Sequence, residues 1–254
     1  MPYKKKDLEF NNPIYDQLPH ANIINVVDFV EKECSFLKEF THIKQHGTKA
    51  PDLQYVKGCF IANATNLGIY KLSENSNLKY HLLSYTQNSC FSLENIMNAN
   101  KILVNKIASL PIFKYYNTSG DKLHFSIDGE KLVAKYEVFK SRYSSKYFGT
   151  QKGVVDLSMI LNEIAVNFKM IGPHEYEGHY MYDLLFNNDT GLDPDCLSTD
   201  MHGINKISFV LLDYRDIEFM PCYRSIPRQT KHLCGFKNLN TYKNYLIKPL
   251  HKIK

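Results

Sequence analysis

No two of the six cysteines (Cys34, Cys59, Cys90, Cys196, Cys222 and Cys234) stand as a C-x-x-C pair. Scattered in this way they read as reduced, mostly buried thiols of a cytosolic protein, with no disulfide framework. The first residues, Met-Pro-Tyr-Lys-Lys-Lys, have none of the apolar run of a signal peptide. Nor is there an apolar run of bilayer length, since stretches such as Phe209 to Leu212 are far too short to span. A soluble, cytoplasmic chain with no membrane partner is therefore expected. Strong charge imbalance is missing too: the net charge is +5 and the pI about 8.7. That balance permits a polyanionic partner without requiring one, because nucleic-acid binding is argued from basic faces and not from totals. What is present is ordinary, 44% hydrophobic and 22% charged residues over 254 positions, enough for one large domain or two small ones.

Taken in order, residues 1–20 carry Lys4, Lys5 and Lys6 with Pro2, Pro13 and Pro19, and read as a loose lead-in. Residues 21–117 follow helical spacing. Ile23, Val26, Val27 and Val30 begin an apolar face that continues through Cys34 and Leu37 to about Phe40. Pro51-Asp52 opens a second helix, and Ser92-Leu-Glu-Asn opens another that stops at Pro111. Asn63 to Gly68 and Leu78 to Leu82 suggest short helices joined by tight turns. This region is a helical scaffold, or a helix-turn-helix arrangement that contacts DNA. His42 and His46, four apart, lack the acid and third ligand of a zinc protease site and read as solvent-exposed.

At about residue 118 the period changes. Leu123, Phe125 and Ile127 alternate with His124, Ser126 and Asp128, a strand expected to end at the turn dipeptide Asp128-Gly129. Val154 to Leu161 and Ile164 to Ile171 read as a hairpin through Asn162-Glu163, and residues 174–188 as a helix. Then comes a buried strand from Cys196, running out at Asp200 into a turn with Gly203, a helix to about Asp213, and a strand at Ile217 to Met220. Residues 240–254 resemble the start of a further helix. The fold class is thus α+β: an all-helical region, then over 118–254 a mixed sheet of the ribonuclease H-like kind with flanking helices. In that fold the first strand and the strand after the first helix lie side by side, which would bring together Asp128 and Asp200, 72 residues apart (200 − 128).

Two adjacent carboxylates repel unless a cation relieves them. They serve either general acid–base chemistry, as in glycosidases, or the binding of a hard divalent cation that takes phosphate oxygens as further ligands. Read singly, Asp128 is a turn residue and Asp200 a cap of the next helix.

Several motifs also stand in a fixed order: Phe40-Thr-His42, Asn63-Ala-Thr-Asn-Leu-Gly68, Leu123-His-Phe-Ser-Ile-Asp128-Gly-Glu-Lys131, Lys146-Tyr-Phe-Gly149 with Gly153-Val154, Thr190-Gly-Leu-Asp-Pro194, Ser198-Thr-Asp200-Met-His-Gly203, and Phe219-Met-Pro221 with Arg224. From about residue 40 onward this order resembles the transposases of class II replicative bacterial transposons, the Tn-three family, whose ribonuclease H-like domain carries an Asp-Asp-Glu triad. The resemblance implies that Asp128, and not the nearby Asp121, is the first triad position and Asp200 the second. Both would be catalytic and would hold Mg²⁺, with Mn²⁺ as substitute. It further implies cleavage at transposon ends followed by strand transfer into target DNA, a homodimer, and association with the nucleoid when DNA is bound. Lys146, Arg224, Arg228 and Lys231 are the expected phosphate contacts.

Three departures go with it. The third acid of the family is expected on a later helix past Lys254, with Glu218 too early in the chain to serve. The family's end-recognising amino-terminal parts have no counterpart. Cys222 and Ser225 replace a usual Arg and Asp. An interior, weakly active or inactive section of a transposase is therefore expected, the enzyme assignment being open to that extent. The alternative is a non-catalytic DNA-binding or dimerisation remnant. A third reading, an unrelated metal-dependent nuclease, would need its remaining acid from Glu163, Glu175 or Glu177.

Overall fold

The structure is a computed structural model that describes residues 21–43, 50–118, 120–231, 233–235, 238–245 and 248–252. Lys4, Lys5, Lys6, His46, His232 and Lys237 lie outside the described residues. The chain divides into two compact units, Met1–Ala99 and Asn100–Lys254.

The first unit is helical. Helix α1 (Ile23–Cys34) is capped by Asn22, whose side chain accepts from the Asn25 N–H at 2.9 Å. The helix does not run to Phe40: Ser35 takes a left-handed φ of 54° and a 3-10 turn, Phe36–Glu39, follows. The break turns Phe36, Leu37 and Phe40 into the core, where all three are buried. Asp52 caps α2 (Leu53–Ala64), accepting from the Gln54 N–H. Asn63 to Gly68 closes that helix instead of forming one, with positive φ at Asn66 and Gly68. Helices α3 (Ile69–Glu74) and α4 (Tyr80–Cys90) follow, then α5 (Leu93–Ala108), whose residues from Asn100 on belong to the second unit, the Ser92 hydroxyl accepting from the Asn95 N–H at its start. His42 is outside any helix and half-buried, its Nδ1 3.7 Å from the Cys90 sulfur, so it is not the solvent-exposed residue expected. Burial, and then the neighbouring Cys90, push the Cys59 thiol up to about 11, which leaves it protonated and unreactive at neutral pH.

The second unit is built on a six-stranded sheet: β1 (His124–Val133), β2 (Arg142–Tyr143), β3 (Lys152–Leu161), β4 (Ile164–Ile171), β5 (Cys196–Thr199) and β6 (Glu218–Phe219). β1 pairs antiparallel with β3, and β3 with β2 and β4 along its other edge. On the opposite side β5 and β6 run parallel to β1. Three long antiparallel strands followed by two parallel ones, in the order β4-β3-β1-β5-β6, make a ribonuclease H-like sheet. Alternation along the strands puts Phe125 and Ile127 of β1, Leu157, Met159 and Leu161 of β3, and Leu197 of β5 into one buried cluster. A short helix, α6 (Ser145–Phe148), leads into β3.

Two expected boundaries move for a shared reason. β1 does not stop at Asp128-Gly129, because β3 pairs with it rung by rung from Phe125↔Leu161 to Val133↔Gly153 and satisfies the backbone a turn would have used. Residues 174–188 hold a 3-10 turn, Glu177–His179, and only then α7 (Met181–Phe186). Helix α8 (Lys206–Asp213), capped by Asn205, ends where expected. Beyond β6 lie α9 (Ile226–Thr230) and a small parallel pair, β7 (Cys234–Gly235) with β8 (His251–Lys252). The helix expected over 240–254 is therefore a 3-10 turn at Leu239–Tyr242 followed by strand.

Asn167 ties β4 to α7. It is buried, its amide donates to the carbonyls of Leu184 (2.9 Å) and Asn187 (3.1 Å), and its Oδ1 accepts from the Phe168 N–H. Asn167→Ala strands two carbonyls and is expected to lower stability by about 1–3 kcal/mol, read from the urea midpoint. A midpoint shift equivalent to less than a few tenths of a kcal/mol would show that α7 is held by its apolar face alone.

Candidate functional site

The register of β1 and β5 decides where the two aspartates lie. The parallel pairing runs His124↔Cys196, Phe125↔Leu197, Ser126↔Ser198 and Ile127↔Thr199. Asp128 is the next residue of β1, and Asp200 is the first residue past β5, in the turn that leaves it. Both continue the alternate positions of Ser126 and Ser198, away from the buried cluster. Asp128 is exposed and Asp200 half-buried.

Each carboxylate is anchored through one oxygen. Asp128 Oδ1 accepts from the Gly129 N–H at 2.8 Å. Asp200 Oδ1 accepts from His202 N–H at 2.8 Å and Gly203 N–H at 3.3 Å, closing the turn that leaves β5. No hydrogen bond from a described residue occupies either Oδ2. Two such carboxylates, each with its Oδ2 taking no hydrogen bond from a described residue, suit a divalent cation that keeps several waters. Among the described residues no group of three or more His, Cys, Asp or Glu is placed to hold a metal.

The 3-10 turn after β4 packs on this corner. A Cβ on Gly203 would lie 2.7 Å from Thr199 Cβ, so that glycine is required by close approach, whereas one on Gly129 would meet the end of the Glu177 side chain, Oε1 at 2.7 Å, which can swing aside. Glu177 is ion-paired with Lys131 at 3.4 Å. Tyr176 donates its hydroxyl to the Ile204 carbonyl, and burial, followed by the charges of Asp200 and Glu177, pushes its phenol above the ordinary range. Of these, Lys131 stood in the motif that carries Asp128, three residues on and so on the strand's other face, and Glu177 was among the three acids open to the nuclease reading; Tyr176 carried no signal in the sequence.

The other acids lie elsewhere. Glu163 sits in the β3–β4 turn, beside the amino end of β1. Glu175 accepts from the Gly172 N–H and from Tyr180. Glu218 is level with Cys196, at the start of β5, and pairs with Lys122 at 2.8 Å. Of the expected phosphate contacts, Lys146 lies on α6 with its ammonium on the Tyr147 hydroxyl at 2.7 Å, and Lys131 covers the same ring at 5.1 Å. The chain after β6 keeps alongside β5, Cys222 N–H donating to the Thr199 carbonyl, so Arg224 leaves the sheet at the edge that carries the aspartates. Arg228 and Lys231 are exposed, on α9 and in the turn after it.

Residues 25–253 match the family described as "Tn3 transposase DDE domain". The chain belongs to the Tn3 transposase DDE domain family. Its relatives include the transposase for transposon gamma-delta of Escherichia coli K12, 25% identical over 219 residues, and the transposase for transposon Tn4556 of Streptomyces fradiae, 26% identical over 225 residues. These alignments cover 84% and 87% of this chain but 22% and 25% of the relatives, so the chain spans about a quarter of the length of the transposases it matches. Among solved structures, the Mos1 strand transfer complex aligns over 83% of this chain and 69% of that one, at 10% identity and a TM-score of 0.30. For this DDE-domain chain the ribonuclease H-like assignment rests on strand order. No helix among the described residues is long and apolar enough to cross a membrane.

Proposed function

We propose that the chain acts in DNA transposition, supplying two of the acidic positions at which a divalent cation, Mg²⁺ or Mn²⁺ in its place, meets a DNA phosphodiester. The observation that supports this reading is the parallel register of β1 and β5, whose last pair, Ile127↔Thr199, is followed in sequence by Asp128 and Asp200, within a DDE-domain chain. A cation bound there would activate water and neutralise charge on the phosphoryl group. The protein's own part is positional. Backbone N–H groups fix one oxygen of each carboxylate, leaving the other to face the ion. Arg224, which leaves the sheet beside the end of β5, would hold phosphates together with Lys146 on α6 and with Arg228 and Lys231 further along the basic segment, through salt-dependent contacts that carry no sequence information.

With no third acid gathered among the described residues, weak or absent cleavage by this chain alone is part of the proposal, as are action in the bacterial cytoplasm and DNA ends and target as partners. The second reading, a DNA-binding remnant without catalysis, shares the basic contacts and lacks the cation. Calorimetric titration of the full chain with Mn²⁺ and Mg²⁺ separates them. Weak binding that disappears in Asp128→Ala is expected. No binding to wild type, or unchanged binding in Asp128→Ala and Asp200→Ala alike, would remove the metal site.

A further inference from the structure

Beyond Asp128, β1 leads into a surface whose composition differs from the rest of the molecule. Between Lys131 and Lys152 stand Lys131, Lys135, Lys140, Arg142, Lys146 and Lys152 against the single acid Glu137. That is a balance of +5 along the sequence; in the fold Lys131 pairs with Glu177, Lys140 with Glu175 and Lys152 with Glu137, which leaves Lys135, Arg142 and Lys146 without a carboxylate partner among the described residues. Aromatic rings are interleaved with these cations and face water: Tyr136 is 73% exposed, Phe139 90% and Tyr143 60%. Lys135 lies 5.4 Å over the Tyr136 ring and Lys152 5.1 Å over Tyr143.

Single exposed apolar residues are commonplace and call for no explanation. Phe139 differs because the backbone beneath it is tightly held. The Ser141 N–H donates to the Val138 carbonyl at 2.9 Å, the Ser141 hydroxyl donates to the same carbonyl at 2.8 Å, and that hydroxyl accepts from the Val138 N–H at 3.1 Å. Ser141 is itself buried. From the other side Arg142 Nη1 donates to the carbonyls of Phe139 and Ser141, both at 2.8 Å. A turn fixed by five hydrogen bonds thus presents a phenyl ring almost wholly to solvent. A loose loop would let the ring fold back onto Val133 or Val138, which are also exposed; here the backbone is spent on holding it out.

We propose that this turn is a base-stacking wedge for unpaired nucleotides of the DNA strand held at Asp128, with Phe139 and Tyr136 as stacking faces. The proposal rests on the transposase reading for the location of that strand. Phosphates alone would be served by lysines, and an intact duplex turns its phosphates outward and its base faces inward. Exposed rings among cations are matched by opened bases, whose π-faces stack on any aromatic side chain while the neighbouring ammonium groups take the phosphates. Val133 is five residues past Asp128, about 17 Å along the strand. At about 3.4 Å per nucleotide, a strand with one phosphate at Asp128 reaches the wedge roughly five or more nucleotides away.

The test is fluorescence anisotropy of the full chain with a 20-nucleotide single strand and with the duplex of the same sequence, over a salt series. Phe139→Ala and Tyr136→Ala should each weaken single-strand binding by about tenfold or more, with the salt slope unchanged and duplex binding altered by no more than about twofold. Phe139→Leu keeps the apolar area but not the flat face and should lose as much as alanine. Lys135→Ala should reduce the salt slope instead. Unaltered single-strand affinity in both aromatic variants, with wild type still binding duplex, overturns the wedge and leaves the transposase reading standing. A dimer that dissociates in Phe139→Ala while strand binding persists also overturns it, identifying the turn as a protein contact. Absence of any DNA binding by wild type removes both. Loss of stacking in the variants of a chain that binds no divalent cation keeps the wedge and removes the metal site.

Discussion

Asp200→Asn is expected to abolish divalent-cation binding while leaving the fold intact, whereas Asp200→Ala should damage both. The distinction follows from the two jobs of one carboxylate. Its Oδ1 accepts from the His202 and Gly203 N–H groups and so closes the turn; an asparagine oxygen does the same, an alanine methyl does not. Loss of such a cap costs about 1 kcal/mol, or roughly 2–4 °C in Tm for a chain of this size. Removing the charge is felt by the ion. Even outer-shell partners of bound metals are worth about 10–100-fold in affinity, so loss of a direct ligand should exceed about 100-fold. In metal-free buffer Asp200→Asn should melt no lower than wild type, because Asp128 loses a like-charged neighbour. Calorimetry with Mn²⁺ and thermal melts with and without EDTA read both quantities. Retained Mn²⁺ affinity in Asp200→Asn would mean that Asp200 serves only the turn.

Phe125→Ala should produce the largest loss of stability in the molecule. Phe125 is fully buried on the central strand, opposite Leu161 on one side and Leu197 on the other. Truncating a ring in such a position costs about 3–5 kcal/mol, a transfer term plus the cavity left behind, against a total of about 5–15 kcal/mol for a typical domain. Chemical denaturation should show an earlier midpoint with little change in slope. The β1–β5 register that ends just before Asp128 and Asp200 runs through this rung, so under the proposed function cation affinity should fall as the pairing loosens. A cost under about 1 kcal/mol would mean that the pocket refills and that this residue is not central to the core.

The same rung marks the limit of what local patterns convey. The alternation of Leu123, Phe125 and Ile127 identified β1 and its buried face, and the Val154 and Ile164 runs identified the hairpin, whose Asn162 and Glu163 both take positive φ as a tight turn requires. Asp128-Gly129 has the composition of a turn, yet it lies inside a strand because the ladder to β3 outweighs a dipeptide preference. Likewise Gly178, inside the stretch read as a helix over 174–188, sits where a Cβ would lie 3.0 Å from the Gly203 carbonyl, so the chain there is shaped by packing on the Asp200 turn. Within the 240–254 stretch His251 and Lys252 pair as a strand with β7, a partner that no short window contains.

By itself the sequence determined the fold class and the order of the strands along the chain, and the motif order singled out Asp128 and Asp200 as the acids to propose, since periodicity and motif spacing are local properties of a chain. Only the tertiary structure decided that β1 and β5 pair in parallel up to Ile127 and Thr199, the residues before Asp128 and Asp200, that Lys131 is held by Glu177, and that Phe139 is carried outward on a pinned turn. Period-two alternation says which face a side chain takes but not which strand lies beside it, and exposure depends on what the rest of the chain leaves uncovered.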